Sequence, residues 1–245
     1  MSLPVFLVEP GSLDGATTVQ LGAEEGRHAA VVRRIRAGEQ VELSDGRGAV
    51  ARCEVESASR AGLTCRVLGL ERHPAPSPRL VVVQAVPKGD RGELAVEVLT
   101  EVGVDEVVPW SAARCVARWD GDRAAKGLRR WRSVAREAAK QARRPWLPAV
   151  TDLASTRAVA ARLAAADLAL VLHEDAESVL ATVRPPDSGE VVVVVGPEGG
   201  VTPEELDAFA AAGALAVRLG PSVLRTSTAG AVATGVLLAR TPRWG

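Results

Sequence analysis

The sequence predicts two parts, a small β-rich N-terminal domain and a larger α/β domain built on a parallel sheet. Three observations predict this. Val191–Val195 is a run of five valines; with no polar face, it reads as a strand covered on both sides, as in a parallel sheet flanked by helices. Strand and helix patterns alternate around it with short crossovers. Pro74, Pro76 and Pro78 mark a stiff connection, which divides the 245-residue chain into residues 1–74, a linker of 75–78, and residues 79–245.

At 47% hydrophobic residues the chain can bury a sizeable core. Its 30 Lys and Arg cancel 30 Asp and Glu, so net charge says nothing of a nucleic-acid partner and only the distribution informs. Cys53, Cys65 and Cys115 form no C-x-x-C pair and read as reduced, buried thiols without a structural metal. No run approaches the ~20 apolar residues of a membrane span, and the first residues lack a signal-peptide pattern. A soluble, cytoplasmic protein without a membrane partner is expected.

In the first part, residues 24–36 read as a short helix with Ala29, Val32 and Ile35 on one side and Arg27, Arg33, Arg34 and Arg36 on the other. Those arginines form either a solvated face or a phosphate-contacting patch. Val41–Ser44, the turn Asp45–Gly48 and Ala49–Glu56 predict a hairpin. Leu63, Cys65 and Val67 alternate with polar residues, which predicts a strand with one buried face.

Beyond the prolines, Leu80–Ala85 is a continuous apolar strand, followed by the polar loop Val86–Gly92. A helix over 93–102 is expected to bury Leu94, Val98 and Val102, with Ala95 and Leu99 beside them, and to stop at Gly103. A strand over 106–110 completes β-α-β. Residues 110–150 then hold eleven basic and three acidic side chains, and four of the five tryptophans. On a helix over 122–144, Arg129, Arg132, Arg136, Lys140 and Arg143 follow helical spacing. They form one cationic stripe opposite Leu128, Trp131, Val134 or Ala135, and Ala138. So few acidic residues offset the stripe that it reads as an RNA-docking face rather than a merely solvated one.

Leu168–Leu172 is another buried strand, closed by His173, which is either a base or a strand-end hydrogen-bonding group. Strand 190–195 ends at Gly196-Pro197-Glu198-Gly199-Gly200. Thr202, Pro203 and Glu205 then provide an N-cap, a first-turn proline and a capping box for a helix reaching about Ala212. A strand over 214–219, a loop from Gly220-Pro221 and a thin helix from about Thr228 follow. Two glycine-bearing loops thus end strands at one edge of the sheet, where open α/β folds bind ligands.

That edge matches neither phosphate-binding glycine pattern, and Glu198 would repel an anion. A neutral or cationic ligand rich in hydroxyls and ring nitrogens suits it, and adenosine bearing a sulfonium fits that description. The wording GPEGG-x-T-P-E-E, then LGP-x-x-LRT-x-TA, resembles the C-terminal signature of the RsmE family, bacterial methyltransferases that modify N3 of a uridine in 16S ribosomal RNA. The likeness continues through Lys88-Gly89-Asp90, Glu101–Asp105, Pro109, Arg114, Glu137–Gln141 and Arg144. In the first part it covers His28, Val32, Arg34, Gly38, Glu39, Val41 and Leu43.

The resemblance implies an N-terminal PUA-like β-barrel and a C-terminal α/β SPOUT domain with a trefoil knot, a fold that general topology rules would not suggest. It implies S-adenosyl-L-methionine as cofactor, 16S rRNA or the small ribosomal subunit as partner, and a homodimer. The cofactor-binding residues it implies are Leu172, His173, Gly196, Pro197, Glu198, Gly199, Gly200, Leu219, Gly220, Leu224, Arg225, Thr226 and Ala229. Candidate RNA contacts are Arg33, Arg34, Arg36, Lys88, Arg91, Arg114, Arg136, Lys140 and Arg144. Arg225 is the candidate catalytic group, a cation beside the uridine as N3 loses its proton; its alternative is a salt bridge to Glu198. The chain departs from the commoner wording LRTETA by placing Ser227 where that glutamate stands. Rival readings are a ribose 2′-O-methyltransferase of the same class, a non-catalytic RNA-binding assembly factor and a small-molecule enzyme.

Overall fold

The computed structural model describes residues 3–244. It divides into two compact units: residues through Ala75 together with Lys140–Leu147, and Pro76–Ala139 together with Pro148–Gly245.

The first unit is a five-stranded sheet. Its elements are β1 (Val5–Leu7), β2 (Thr18–Leu21), α1 (Ala23–Arg27), β3 (Gln40–Ser44), β4 (Ala49–Ser59) and β5 (Gly62–Arg72). The strand order is β1-β3-β4-β5-β2, with β1 parallel to β3 and the other pairs antiparallel. The hairpin is where its D-G turn predicts it. Alternation buries Val41, Leu43, Ala51, Cys53, Val55, Leu63 and Cys65 in one core with Phe6 and Leu13. Residues 140–147 join this unit through backbone bonds from Gly48 to Pro145 and from Leu147 to Gly46, and through the Trp146 indole donating to the His73 carbonyl at 3.1 Å.

The helix expected over 24–36 is a correction. After α1 the chain widens into one π-helical turn, His28–Val32, and the helix is over by Arg34, which has φ 56°. Ala29 is buried, but Val32 is 65% exposed. The π turn rotates the expected apolar face out of register.

The second unit contains β6 (Arg79–Ala85), α2 (Arg91–Val102), β7 (Glu106–Trp110), α3 (Asp122–Gln141), β8 (Ala149–Val150), α4 (Thr156–Ala165), β9 (Leu168–Leu172), β10 (Ser178–Val179), β11 (Glu190–Val195), α5 (Pro203–Ala211), β12 (Leu215–Arg218) and α6 (Thr226–Leu238). Its seven strands run β10-β12-β9-β11-β6-β7-β8, every pair parallel. The valine run lies in β11, bonded to β9 and β6. Val191, Val193 and Val195 pack with residues of α2, α3 and α6, while Val192 and Val194 pack with those of α4 and α5. Period-two side-chain alternation thus serves two cores from one strand. Gly230 lets α6 lie close to the sheet, since a Cβ there would stand 3.2 Å from Val195 and 3.1 Å from Leu99.

Three helix expectations shift. On α2 the buried residues are Ala95, Val96, Leu99 and Thr100, and Leu94 is 44% exposed. The inward face lies one position round from the predicted one, and Thr100 can be buried on it despite being polar because its hydroxyl donates to the Val96 carbonyl. α3 stops at Gln141, so Arg143 lies beyond it with φ 54°. α6 starts at Thr226 rather than Thr228. Strands β1, β2, β8 and β10 and helix α4 carry no strong pattern in the sequence; the four strands have four residues or fewer.

At the N-terminal edge of the sheet four charges interlock. Arg79 pairs with Glu106 and, at 2.7 Å, with Glu190; Arg162 of α4 reaches both carboxylates at 2.7 Å. Burial opposes ionisation of Glu190, but hydrogen bonds and charge from Arg162 and Arg79 outweigh it and hold its carboxyl below the ordinary value. A carboxyl whose pKa falls on folding stabilises the fold above its unfolded pKa, and that contribution is lost as pH drops through the folded value. Glu190→Gln should therefore lower stability at pH 7 by on the order of 1–2 kcal/mol. The gap from the parent protein should close in thermal melts below about pH 4; an unchanged gap there would remove the electrostatic account.

Candidate functional site

At the opposite edge, the C-terminal ends of β9, β11 and β12 open into one hollow of about 860 Å³. β9 lies between the other two strands, so the loops that follow β11 and β12 meet over its end. Every residue expected to hold a cofactor lines this hollow. Leu172 and His173 close one wall, Gly196–Gly200 a second, Leu219, Gly220 and Leu224–Thr226 a third, and Ala229 comes from α6. Arg91 and Arg114 stand at its rim.

Each wall is fixed by identifiable bonds. Thr202 and Glu205 form the predicted capping box, at 3.2 and 3.1 Å, and hold the start of α5. Gly200 adopts φ 75°, a left-handed turn that its missing side chain permits, and its amide donates to Pro197 at 2.9 Å. Glu205 does more than the sequence indicates. Its other oxygen accepts from the Ala113 amide at 2.8 Å and from the Thr156 hydroxyl at 3.2 Å. That fixes the loop after β7, and Arg114 from the same loop donates to the Gly199 carbonyl at 3.1 Å.

The third wall is tied to the second by a hydroxyl. Thr226 accepts from the Gln84 amide at 3.1 Å and donates to the Gly196 carbonyl at 2.7 Å. Gln84 is wholly buried in β6 and also donates to Ala85 at 3.1 Å. Its signal in the sequence is one polar residue within the apolar run Leu80–Ala85, where a buried amide must find partners.

The charged groups separate by role. Glu198 is exposed and accepts from the Lys88 amide at 3.1 Å. Arg225 is exposed, and among the described residues it forms no ion pair, so the alternative of a Glu198–Arg225 bridge is not realised. His173 lines the hollow, but its Nδ1 accepts from the Asp175 amide at 3.3 Å, the strand-end hydrogen-bonding role, so that nitrogen is not free to act as a base. The thiols do not supply a base either. Burial, with Cys65 nearby, pushes Cys53 up to about 12, and burial with Glu56 raises Cys65 to about 11. Burial also raises Cys115, with Glu198 and Glu205 adding to it.

The expected RNA contacts are not equivalent. Arg33, Arg34, Arg36, Lys88, Arg91 and Arg136 have exposed side chains. Arg144 is half-buried, and Arg114 is engaged with Gly199. Lys140 is a correction: its ammonium pairs with Glu25 at 3.0 Å with only 10% of the side chain exposed. Nor is the cationic stripe of α3 wholly unneutralised, since Arg132 bonds the Val150 carbonyl and Asp152.

Residues 73–238 match the RNA methyltransferase domain family, and residues 21–68 match the RNA methyltransferase PUA domain family. The chain is 51% identical over 244 residues to Ribosomal RNA small subunit methyltransferase E of Mycobacterium bovis, covering 98% of this chain and 93% of that one. It is 30% identical over 226 residues to the protein of the same name from Bacillus subtilis, covering 89% and 88%. A crystal structure of a Ribosomal RNA small subunit methyltransferase E from Neisseria gonorrhoeae, bound to S-adenosyl methionine, aligns with a TM-score of 0.86 at 28% identity, covering 97% of this chain and 98% of that one. The chain thus has an N-terminal PUA domain followed by a parallel-sheet methyltransferase domain.

Thr226→Val keeps the shape of the side chain while removing the hydroxyl that joins Gln84 to Gly196. It should cost about 1–3 kcal/mol, the penalty for buried polar groups left unpaired. Thr226→Ser should recover most of it in the same denaturant titration, and equal losses in both variants would deny the hydroxyl its role.

Proposed function

We propose, for a chain that belongs to the ribosomal RNA small subunit methyltransferase E family, that it methylates N3 of a specific uridine in 16S ribosomal RNA with S-adenosylmethionine bound in the hollow at the strand ends. The observation that carries this reading is the convergence of Gly196–Gly200 and Leu219–Thr226 on one cavity whose exposed acid, Glu198, suits a cation and repels phosphate.

The residues present fit that donor. The cavity is lined by Leu172, Val195, Leu219 and Leu224, apolar surfaces suited to a purine ring, and by backbone bends whose polar groups suit the ribose hydroxyls. The donor supplies a methyl group on a sulfonium sulfur; that carbon–sulfur bond breaks as the carbon–N3 bond forms, and the N3 proton leaves to solvent. Arg225 stands where its guanidinium can meet the negative charge that proton loss places on the uracil oxygens. The target base is taken from a single-stranded or flipped-out position, because its N3 edge is hidden in a helix.

The same reading takes residues 1–74 as an RNA-docking domain, 75–78 as a linker and 79–245 as the catalytic domain. Arg33, Arg34 and Arg36 supply phosphate contacts on the first, and Lys88, Arg91 and Arg136 on the last. The loop from Leu219 and α6 then form a trefoil knot of the SPOUT kind; the Thr226–Gly196 bond between the two loops supports that crossing. The protein acts in the cytoplasm as a homodimer. No described helix is long and apolar enough to cross a membrane.

Incubation with labelled donor and unmodified small subunits should yield 3-methyluridine at one position by nucleoside mass spectrometry; 2′-O-methylation would instead favour the ribose-modifying reading. Arg225→Ala should lower single-turnover methyl transfer by about 10²-fold. Replacing Arg33, Arg34 and Arg36 by Gln should reduce the slope of log affinity against log salt by roughly 0.7 for each phosphate no longer neutralised.

A further inference from the structure

Beside the donor hollow lies a second, of about 670 Å³, lined by Lys88, Gly89, Asp90, Arg91, Leu94, Val116 and Glu198. It shares Arg91 and Glu198 with the first, so the two are contiguous. Its composition is unlike that of a phosphate groove. Leu94 is 44% exposed and Val116 64% exposed, one from the first turns of α2 and one from the loop after β7. Two uncovered apolar residues from separate segments that line one hollow next to the first suit a flat ring.

We infer that this second hollow seats the target uracil, with Leu94 and Val116 against the faces of the ring and Glu198 toward its N3 edge. The inference rests on the proposed methyl transfer and names its acceptor subsite. Three observations carry it. The shared wall is Glu198, one of whose oxygens is held by the Lys88 amide at 3.1 Å, which fixes the carboxylate at the boundary of the two hollows. A carboxylate accepts hydrogen bonds only, so it favours the N3–H of uracil and opposes cytosine, whose N3 presents a lone pair. Lys88 and Arg91 line the same hollow, and their exposed side chains suit the backbone phosphates that run outside it. A phosphate is disfavoured there by Glu198 and Asp90, so the backbone of the RNA must run outside the hollow while the base enters it.

The test uses Leu94→Asn and Val116→Asn, two exposed positions on separate segments whose replacement leaves the core intact. Leu215→Asn serves as the control, since Leu215 is likewise 44% exposed but opens β12 at the end away from its loop. Each variant is assayed for donor affinity by calorimetry, for affinity toward unmodified small subunits by filter binding, and for methyl transfer. Leu94→Asn and Val116→Asn should each raise KM for subunits by about tenfold, leaving donor affinity and the melting temperature within error of the parent protein. The filter-binding constant should weaken in the same two variants and not in the control. Parent-like KM values would overturn the acceptor assignment, as would a parallel loss of donor affinity, which would make the second hollow part of the donor site. A parent protein that transfers no methyl group to subunits fails the functional reading itself, a result separate from either.

Discussion

The site depends on one hydroxyl. Thr226 stands at the first position of α6, and its oxygen both accepts from Gln84 and donates to Gly196, joining a central strand, the loop after β11 and the loop after β12. Without that junction the two glycine-bearing loops are independent bends, each free to move away from the other. With it, the carbonyl of Gly196 and the start of α6 are held at fixed separation, and the hollow between them has a defined width. The Gln84 amide nitrogen and the Thr226 hydroxyl are bonded to one another, though Gln84 Oε1 is buried without a partner among the described residues, and the pairing is stabilising mainly because either group alone would be costly. The same pairing therefore holds the fold and sets the geometry of the hollow at the strand ends.

The sheet uses its two edges for different purposes. At the N-terminal edge, Arg79, Glu106, Arg162 and Glu190 form a closed set of opposite charges in which each carboxylate meets two guanidinium groups. At the C-terminal edge Glu198 and Arg225 are exposed with no ion pair between them. Neutralising the first edge leaves the strand starts rigid, and the loops at the far end can then diverge without loosening the strands that carry them. Rigid elements beneath adaptable loops are what a site needs to hold two reactants in line.

Legibility in the sequence follows how local the cause is. The valine run, the D-G hairpin and the Thr202–Glu205 capping box are each written in neighbouring residues, and each forms as its pattern implies. The convergence of residues 196–200 and 219–226 is legible because both loops end parallel strands at one edge, even though β9 lies between them. What stays hidden needs either a partner distant in sequence or a departure from the simple apolar helix pattern. Lys140 sits in a cationic pattern, and Glu25, 115 residues away, pairs with it and helps to bury it. Leu94 fits an apolar helix face, yet Ala95, Val96, Leu99 and Thr100 are the buried residues, Thr100 with its hydroxyl bonded within the helix. The π turn after α1 leaves no spacing signal, so Val32 reads as inward and lies outward.

The serine at position 227 follows from the same geometry. Ser227 is 3% exposed in the first turn of α6, so a longer acidic side chain would have to find a partner or turn out toward Arg225. With serine there, the placement of Arg225 falls to its backbone. Its carbonyl accepts from the amides of Thr228 and Ala229 at 2.9 Å each, making it the N-cap of α6. The backbone of Arg225 is thereby held while its side chain stays exposed. Ordering a long side chain costs up to about 2 kcal/mol, so without an acidic neighbour at position 227 any ligand that engages the guanidinium must bear that cost itself. The anchor is again the junction at Thr226, one residue along, which keeps the root of that side chain at the hollow it lines.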